Sequence, residues 1–432
     1  MDDRFRDLGF GPADILLPQN CDLTKWAVVA CDQYTSQPEY WQRVEHFVGN
    51  APSALHLILP ESSLDGPNVE TDIMDVTNTM SRYLRDGVFR GYEDALIYVE
   101  RTLESGKVRR GLVGMVDLEE YDYEPGASSL IRATEGTVMS RIPPRVAVRK
   151  NASVELPHVM VLADDPGHTV IEPAAQAKGR LELLYDFELM EHSGHLRGWL
   201  LDGPETERVA QALRALADPA AFNARYGTEG APVLLFAMGD GNHSLATAKA
   251  CYERQKTLTP REQWADLPAR YALVELVDLH DPSLEFEPIH RVLFGVDPQA
   301  LLSDLLAAHP GAFEGLGEGH VLRYLHADGT GAITVPKPAH QLAVGTLQAF
   351  LDQWLGSHRG RIDYIHGADV VRDLASQPGN LGFLLPPMGK EELFPTVIHD
   401  GVLPRKTFSM GEAQDKRFYL EARKIRSLSH TR

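Results

Sequence analysis

The turn at residues 239–244, with the sequence Gly-Asp-Gly-Asn-His-Ser, brings together a carboxylate, an amide, an imidazole and a hydroxyl. It follows the apolar run 233–238 and precedes the helix-forming run 245–250. This order predicts a buried strand, a tight glycine turn and a helix. A helix that begins on glycines offers unpaired N–H groups and a partial positive charge, which favour a bound phosphate or carboxylate. The candidate residues of the turn are Gly239, Asp240, Gly241, Asn242, His243 and Ser244.

Other interpretations of this turn remain open from the residues alone. It lacks the Gly-Lys-Ser/Thr of a P-loop, and Ser244 stands where a dinucleotide-binding fingerprint has its third glycine. Asn242 or Ser244 could simply cap the helix, with the glycines supplying the tight turn.

A second group of candidates lies between residues 132 and 150, where five basic residues accompany a single acid, Glu135. Arginine holds phosphate through paired hydrogen bonds, and neighbouring threonine hydroxyls can add to them. Glu135 is a candidate general base toward a hydroxyl group. The alternative is that these arginines pair with acids elsewhere in the fold. The candidate phosphate ligands of this stretch are Arg132, Thr134, Thr137, Arg141 and Arg145.

Three further segments could add to such a site. Asp164 and Asp165 follow an apolar run and offer two carboxylates to hydrated Mg²⁺, although Asp-Asp-Pro-Gly is also a plain turn sequence. His290 and Arg291 lie in what reads as a proline-marked turn and could meet a phosphate. Lys406 belongs to a basic stretch that runs from residue 405 to Arg432. We expect the arginine stretch, the turn and the His290–Arg291 pair to line one pocket, because a small anion needs several donors at once.

Composition limits the classes of protein to consider. The 432 residues exceed one typical core, so we expect an N-terminal α/β catalytic domain at 1–295 and a C-terminal α/β domain with a basic tail at 296–432. The net charge of −19 argues against general nucleic-acid binding. No apolar run reaches the length of a membrane helix, and the acidic N-terminus has no signal core. Cys21, Cys31 and Cys251 show no paired spacing and indicate reduced thiols in the cytoplasm.

The segments that must position these residues indicate an α+β or mixed α/β fold. Apolar runs at 26–31, 55–60 and 159–163 predict strands, and runs at 95–99 and 108–117 predict a strand pair. A capping box at 36–39 predicts a helix that begins near Pro38. Apolar spacing between Val69 and Leu84 predicts a second helix.

Several of these motifs resemble bacterial proteins of domain-of-unknown-function family 1015, over nearly the whole chain. The runs that carry the resemblance lie at residues 26–34, 130–137, 141–145, 156–158, 239–243, 288–291 and 403–407. The turn usual in that family, Asp-Gly-His-His-Arg, is in turn similar to the turn that binds nucleotide phosphates in free-serine kinases of the ParB/sulfiredoxin fold. Asp240, Gly241 and His243 match it, whereas Asn242 and Ser244 replace its first histidine and its arginine. The replaced arginine would have to be supplied by Arg132, Arg141 or Arg145.

The resemblance implies a ParB/sulfiredoxin-like core with added strands and helices, plus a smaller C-terminal α/β unit. It favours phosphoryl transfer to a small hydroxylated metabolite such as serine, with ATP or ADP and Mg²⁺ as cofactors. Glu135 would act as the base, Asp240 would orient the hydroxyl or hold magnesium, and His243 with the arginines would steady the phosphoryl group. The alternatives are a phosphatase acting on phosphoserine or a similar phosphomonoester, and a non-catalytic nucleotide- or metabolite-binding regulator. The oligomeric state stays open.

Overall fold

The computed structural model describes residues 1–426, which form two compact units. The larger unit contains residues 1–284 together with residues 412–426, and the smaller unit contains residues 285–411. The sequence-based division at residue 296 assigned the whole basic tail to the second domain, whereas the contacts return residues 412–426 to the first unit. Arg432, at the end of that tail, lies outside the described residues.

The larger unit contains eight α-helices among its described residues. They are α1 (Leu23–Trp26), α2 (Pro38–Val48), α3 (Val69–Arg85), α4 (Ile142–Arg149), α5 (Glu172–Ala177), α6 (Gly203–Leu216), α7 (Pro219–Tyr226) and α8 (Asn242–Thr257). Its strands before the smaller unit are β1 (Phe10–Gly11), β2 (Ala13–Pro18), β3 (Val28–Val29), β4 (Phe89–Ala95), β5 (Ile97–Thr102), β6 (Val108–Asp117), β7 (Tyr121–Asp122), β8 (Ile131–Arg132), β9 (Val154–Glu155), β10 (Met160–Ala163), β11 (Glu182–Glu188), β12 (His195–Leu200), β13 (Phe236–Asp240) and β14 (Tyr271–Asp278).

A ten-stranded sheet organises the larger unit, in the order β11-β12-β5-β6-β14-β10-β13-β8-β7 with β1 added on β6. β10 runs parallel to β14 and antiparallel to β13, and β13 runs parallel to β8. Because β10 and β13 are antiparallel, the end of β13 at Asp240 and the end of β10 at Ala163 lie at opposite edges of the sheet. The mixture of parallel and antiparallel pairs with helices confirms the mixed α/β class predicted from the sequence.

Two apolar cores cover the two faces of this sheet. Successive side chains of a strand point to opposite faces, and β6 follows the rule because Leu112 packs in one core and Val113 in the other. The core that contains Leu112 also buries Phe236, Met238 and Leu245 from β13 and α8. The turn between β13 and α8 is therefore anchored on both sides by buried apolar residues.

The C-terminal segment of the described chain is part of the larger unit. Its strands are β22 (Phe418–Tyr419), which pairs with β3, and β23 (Arg423–Lys424), which pairs with β9. Buried Arg417 donates to Glu275 of β14 at 2.7 Å, and buried Arg423 donates to Glu155 at 2.7 Å. Paired charges of this kind compensate the cost of burying each one. They fix the segment that carries Lys416 and Tyr419 in place.

The smaller unit is built on a seven-stranded sheet with the order β16-β18-β17-β20-β15-β19 and with β21 added on β15. Its strands are β15 (Phe286–Phe294), β16 (Phe313–Glu314), β17 (His320–His326), β18 (Gly329–Val335), β19 (Arg361–His366), β20 (Asn380–Leu384) and β21 (Phe408–Met410). Its α-helices are α9 (Pro298–Ala308), α10 (Ala343–Leu355), α11 (Ala368–Ala375) and α12 (Leu393–Asp400).

Two local predictions were wrong. The proline-marked turn predicted near Pro288 is instead part of strand β15, where Pro288 lies opposite Phe408 near the beginning of the strand and leaves the ladder on His290 and Arg291 intact. The strand predicted at 55–60 is a short 3-10 turn at Ala54–Leu57, because the Ser53 hydroxyl accepts a hydrogen bond from the Leu55 N–H at 3.1 Å. No helix within residues 1–426 has both the length and the apolar character needed to cross a lipid bilayer.

Candidate functional site

The turn at 239–244 has the predicted strand–turn–helix structure. β13 ends at Asp240, Gly241 adopts a left-handed conformation with φ of 81°, and α8 begins at Asn242. A Cβ atom on Gly241 would lie 3.1 Å from the Val159 Cα, so a glycine is required both by the backbone conformation and by this close approach. The N-cap residue of α8 is Gly241, which has no side chain to cap the helix. Its first N–H groups keep the partial positive charge that favours an anion.

The polar side chains of the turn bind to other segments instead of capping the helix. The Asn242 Oδ1 accepts a hydrogen bond from the Thr134 N–H at 3.2 Å, and its Nδ2 donates to the Thr134 hydroxyl at 3.3 Å. The Thr134 hydroxyl donates to the Met238 carbonyl at 2.8 Å. These bonds join the arginine-rich stretch to the turn. Within residues 1–426, the Thr137 Oγ1 is shielded from solvent and has no hydrogen-bond partner.

Asp240 lies at the end of β13 beside a cation from the C-terminal segment. Its Oδ1 accepts a hydrogen bond from the Gly241 N–H at 2.8 Å, and its Oδ2 lies 3.5 Å from the Lys416 Nζ. Both side chains are half-buried. The pair therefore places a carboxylate and an ammonium group next to the beginning of α8.

His243 is held in a positive environment by the arginine-rich stretch. Its Nε2 accepts a hydrogen bond from the Val138 N–H at 3.2 Å. Burial lowers the pKa of His243, and the charges of Arg141 and Arg145 lower it further. α4 packs on α8 and begins at Ile142, with the double proline in its first turn. The ring is therefore neutral near pH 7, with its proton on Nδ1.

The Arg145 guanidinium binds both a main-chain carbonyl and a carboxylate. Its guanidinium donates to the Arg141 carbonyl at 2.8 Å and to the Glu61 carboxylate at 2.5 Å. The Arg141 side chain is exposed. The pair gives the region beside His243 a positive charge that Glu61 offsets only in part.

Ser244 begins a chain of hydrogen bonds that leads into the core. Its Oγ lies 2.8 Å from the His158 Nε2, and the His158 Nδ1 lies 2.9 Å from the Tyr419 hydroxyl. The Cys31 N–H donates to the same hydroxyl at 3.0 Å. His158 and Tyr419 are 8% and 2% exposed, so both rings are fixed by their surroundings.

Asp32 is an acid that sequence reasoning left without a role. Burial raises the pKa of its carboxyl, but the charges of His158 and Lys416 and a hydrogen bond from Gln33 lower it overall, so Asp32 is ionised near pH 7. The Asp32 carboxylate also acts on the charge of His243. Asp32 therefore lies within electrostatic reach of both histidines of this region.

The remaining residues of the arginine-rich stretch have other surroundings. The Arg132 guanidinium is buried and donates to the main-chain carbonyls of Ser129, Pro232 and Val233 at 2.8, 2.9 and 3.2 Å. These contacts give Arg132 a structural role between β8 and the segment before β13. Glu135 is half-buried directly after Thr134. Gly239 lies against Leu162 of β10, where a Cβ would come within 2.9 Å of the Leu162 side chain.

Asp164 and Asp165 lie at the opposite edge of the sheet from the turn, and protein donors occupy all four of their carboxylate oxygens. Asp164 accepts from the Tyr226 hydroxyl and lies 2.6 Å from the His280 Nε2. Asp165 accepts from the Thr169 hydroxyl at 3.1 Å and from the Val170 N–H at 2.8 Å. Residues engaged in this way do not fit a magnesium site.

The other candidates belong to the smaller unit. Arg291 is fully buried and donates to the Gln348 side chain at 2.9 Å and to the carbonyls of Ile289, Lys406 and Arg405 at 2.6, 2.8 and 2.8 Å. The His290 Nδ1 accepts from the Leu385 N–H at 3.0 Å, and burial lowers the pKa of His290. These contacts hold β15 to its own unit. A role for His290, Arg291 and Lys406 at an anion site stays a prediction.

Four residues near the turn were not recognised as functional from the sequence: Asp32, His158, Lys416 and Tyr419. They come from distant parts of the chain, and only the fold brings them to the beginning of α8. Asp32 and His158 do lie in two of the runs, 26–34 and 156–158, that carry the family resemblance. Their position in these runs was the sequence feature that could have pointed to Asp32 and His158.

Comparison with known proteins agrees with the first resemblance. A sequence model of the family described as "Protein of unknown function (DUF1015)" matches residues 15–354. The chain belongs to this family. The match includes the turn, the arginine-rich stretch, Asp32 and His158, whereas Lys416 and Tyr419 lie beyond it. Among curated proteins, no sequence matches the chain.

Three solved structures are examples of proteins with a similar structure. A free serine kinase in complex with AMP is 11% identical, with a TM-score of 0.38 over 74% of this chain and 93% of the kinase. A conserved hypothetical protein from Pyrococcus furiosus is 12% identical, with a TM-score of 0.34 over 72% of this chain and 98% of that protein. SbnI from Staphylococcus aureus, truncated at its C-terminus, is 11% identical, with a TM-score of 0.35 over 69% and 82% of the two chains. Similarity at this level assigns no activity to the chain.

Proposed function

We propose that the larger unit transfers a phosphoryl group from a nucleotide to the hydroxyl of a small metabolite such as serine. The observation that carries the proposal is the N-terminus of α8, where the N-cap residue is a glycine, with Lys416 and Asp240 beside it and the ionised Asp32 carboxylate within electrostatic reach. Phosphoryl transfer needs little covalent chemistry from the protein. It depends on the positioning of the reactants and on stabilising the charge of the transferred group.

The donor phosphates would bind at the beginning of α8. The N–H groups of its first turn supply donors, and the hidden Thr137 hydroxyl is one polar atom that a ligand could satisfy. Arg141 is exposed next to His243, and Lys416 lies against Asp240. Neutral His243, with its Nε2 occupied by the Val138 N–H, would donate from Nδ1 to a phosphoryl oxygen.

The acceptor hydroxyl needs a carboxylate base, and we assign this role to Asp32 in place of Glu135. Asp32 acts on the charges of both His158 and His243, and it is ionised because His158 and Lys416 stabilise its charge. An ionised carboxylate next to cations can accept a proton from a hydroxyl as the oxygen attacks. Asp240, next to Lys416, would orient that hydroxyl.

The test compares nucleotide consumption with and without serine or another hydroxylated metabolite. The proposal expects consumption that depends on the acceptor and on the nucleotide. Release of phosphate from phosphoserine without nucleotide would support a phosphatase instead. Nucleotide binding, seen as thermal stabilisation without turnover under any acceptor, would support a regulator. Either result would overturn the proposed transfer reaction.

A further inference from the structure

Ser244 has the surroundings of a nucleophile rather than those of a helix cap. It is the third residue of α8, yet its hydroxyl makes no cap and instead lies 2.8 Å from the His158 Nε2. Hydrogen bonds within the first turn of a helix are the usual use of a serine at this position. A hydroxyl held against an imidazole, with the imidazole held in turn by a third group, is the arrangement that activates serine in nucleophilic catalysis.

The Tyr419 hydroxyl lies against the His158 Nδ1, the ring nitrogen that does not contact Ser244. The Tyr419 oxygen accepts from the Cys31 N–H at 3.0 Å and lies 2.9 Å from the His158 Nδ1. After accepting from the Cys31 N–H, the phenol oxygen still has a lone pair that can accept from a proton on the His158 Nδ1. With the ring proton on Nδ1 and directed at Tyr419, the Nε2 faces Ser244 as an acceptor, which is the tautomer that a general base for Ser244 requires.

Two further contacts prepare His158 to receive a proton. The rings of His158 and Tyr419 meet edge to face, with centroids 5.5 Å apart and planes at 88°, so the imidazole plane is fixed. The ionised Asp32 carboxylate would stabilise the imidazolium ion that His158 becomes when it takes the Ser244 proton. Ser244, His158, Tyr419 and Asp32 thus correspond to nucleophile, base, orienting group and counter-charge.

We propose that Ser244 is the first phosphoryl acceptor of the protein and forms a phosphoserine intermediate. The Ser244 Oγ attacks the terminal phosphorus of a nucleoside triphosphate, and its proton passes to the His158 Nε2. The new O–P bond forms as the bond to the nucleoside diphosphate breaks, and the diphosphate leaves with the electron pair. The oxygen of the metabolite hydroxyl then attacks the same phosphorus and passes its proton to the Asp32 carboxylate. The bond between phosphorus and the Ser244 Oγ breaks, and the His158 Nε2 returns its proton to the Ser244 oxygen. This inference rests on the proposed function and turns the transfer into two steps.

The experiment incubates the full chain with ATP and Mg²⁺ in the absence of acceptor, followed by acid quench and peptide mass spectrometry. We expect one phosphoryl group on Ser244 and exchange of labelled ADP into ATP without any acceptor. Ser244→Ala should abolish both signals. His158→Gln should slow phosphorylation by about 10²–10⁴-fold, because it removes a general base. Ser140→Ala is the matched control, since Ser140 is an exposed serine of the same region, and it should retain both signals.

The outcomes separate this inference from the function on which it rests. Acceptor-dependent turnover that persists in Ser244→Ala, with no phosphoserine and no exchange in the parent protein, would overturn the intermediate and leave direct transfer standing. Absence of any nucleotide turnover in the parent protein would overturn the proposed function itself. Phosphate on Ser140 or on another surface serine, with Ser244 unmodified, would also refute the intermediate.

Discussion

Acidic residues lie at the end of β13 and directly after β10, at opposite edges of the large sheet. The two sets differ in whether protein donors occupy their carboxylate oxygens. At one edge β13 ends at Asp240, which faces Lys416, and the next helix begins without a cap. At the other edge β10 ends before Asp164 and Asp165, whose four oxygens are taken by protein donors. A polar cluster that satisfies itself is structural, whereas one that leaves helix N–H groups open is suited to a ligand.

The largest expected effect comes from the base at the turn edge. Asp32→Asn should lower the rate of acceptor-dependent turnover by about 10²–10⁴-fold and leave nucleotide binding nearly intact, because a base acts only during proton transfer. Glu135→Gln is the matched comparison and should change the rate much less. Steady-state kinetics and nucleotide titration measure both. A large loss in Glu135→Gln with a mild one in Asp32→Asn would return the role of the base to Glu135.

A smaller effect is expected from the cation that faces Asp240. Lys416→Met should weaken nucleotide binding by about tenfold to a hundredfold, since a charged hydrogen bond contributes about 1.5–3 kcal/mol. Lys424→Met removes an exposed lysine from the same C-terminal segment and is the control. Isothermal titration calorimetry with a nucleotide measures both affinities. Equal affinities of the two variants would show that Lys416 does not contribute to nucleotide binding.

The opposite edge should respond in stability and not in activity. Tyr226→Phe removes the hydroxyl that donates to Asp164, and it should lower the free energy of unfolding by about 1–3 kcal/mol. Turnover and its dependence on Mg²⁺ should stay at the parent level. Denaturant unfolding and an activity assay at several Mg²⁺ concentrations test this. A raised Mg²⁺ requirement in the variant would show that the Asp164 edge binds metal after all.

The smallest expected effect concerns the titration of His243. Its pKa is lowered by burial and then by Arg141 and Arg145, so Arg141→Gln should raise that pKa toward the ordinary value. A histidine whose pKa is lowered by folding does not reduce the free energy of unfolding above about pH 6.5. Below that pH the free energy of unfolding falls, because the unfolded chain binds the proton more readily. The variant should therefore lose less stability on acidification than the parent. Imidazole NMR resonances measure the pKa, and an unchanged value would exclude Arg141 from the environment of His243.

The sequence was most informative where the structure is local. The apolar run, the glycines and the helix formers predicted β13, the turn and α8, because each of these depends on neighbouring residues. Predictions for two segments that depend on context were wrong: the segment 55–60 begins within a 3-10 turn at Ala54–Leu57 that Ser53 caps, and Pro288 lies in strand β15. Hydrophobic runs do not distinguish a buried strand from other buried segments.

Only part of the candidate site could be predicted from the sequence. Asp240, His243 and Ser244 could be named because they share one turn, and Arg141 and Arg145 because they follow each other closely. Lys416 and Tyr419 could not, since they reach the turn from the C-terminal segment through the pairing of β22 with β3. Arg132 shows the reverse case. Its residue type suggested phosphate binding, but its position in β8 directs the guanidinium to main-chain carbonyls.

The most direct test of the account is a crystal structure of the protein with a non-hydrolysable ATP analogue. We expect the terminal phosphate within hydrogen-bond distance of the first N–H groups of α8, with Lys416 or Arg141 beside it and Ser244 facing the phosphorus. A phosphate bound at the Asp164 edge, or anywhere away from the beginning of α8, would contradict the assignment of the site and the mechanism built on it.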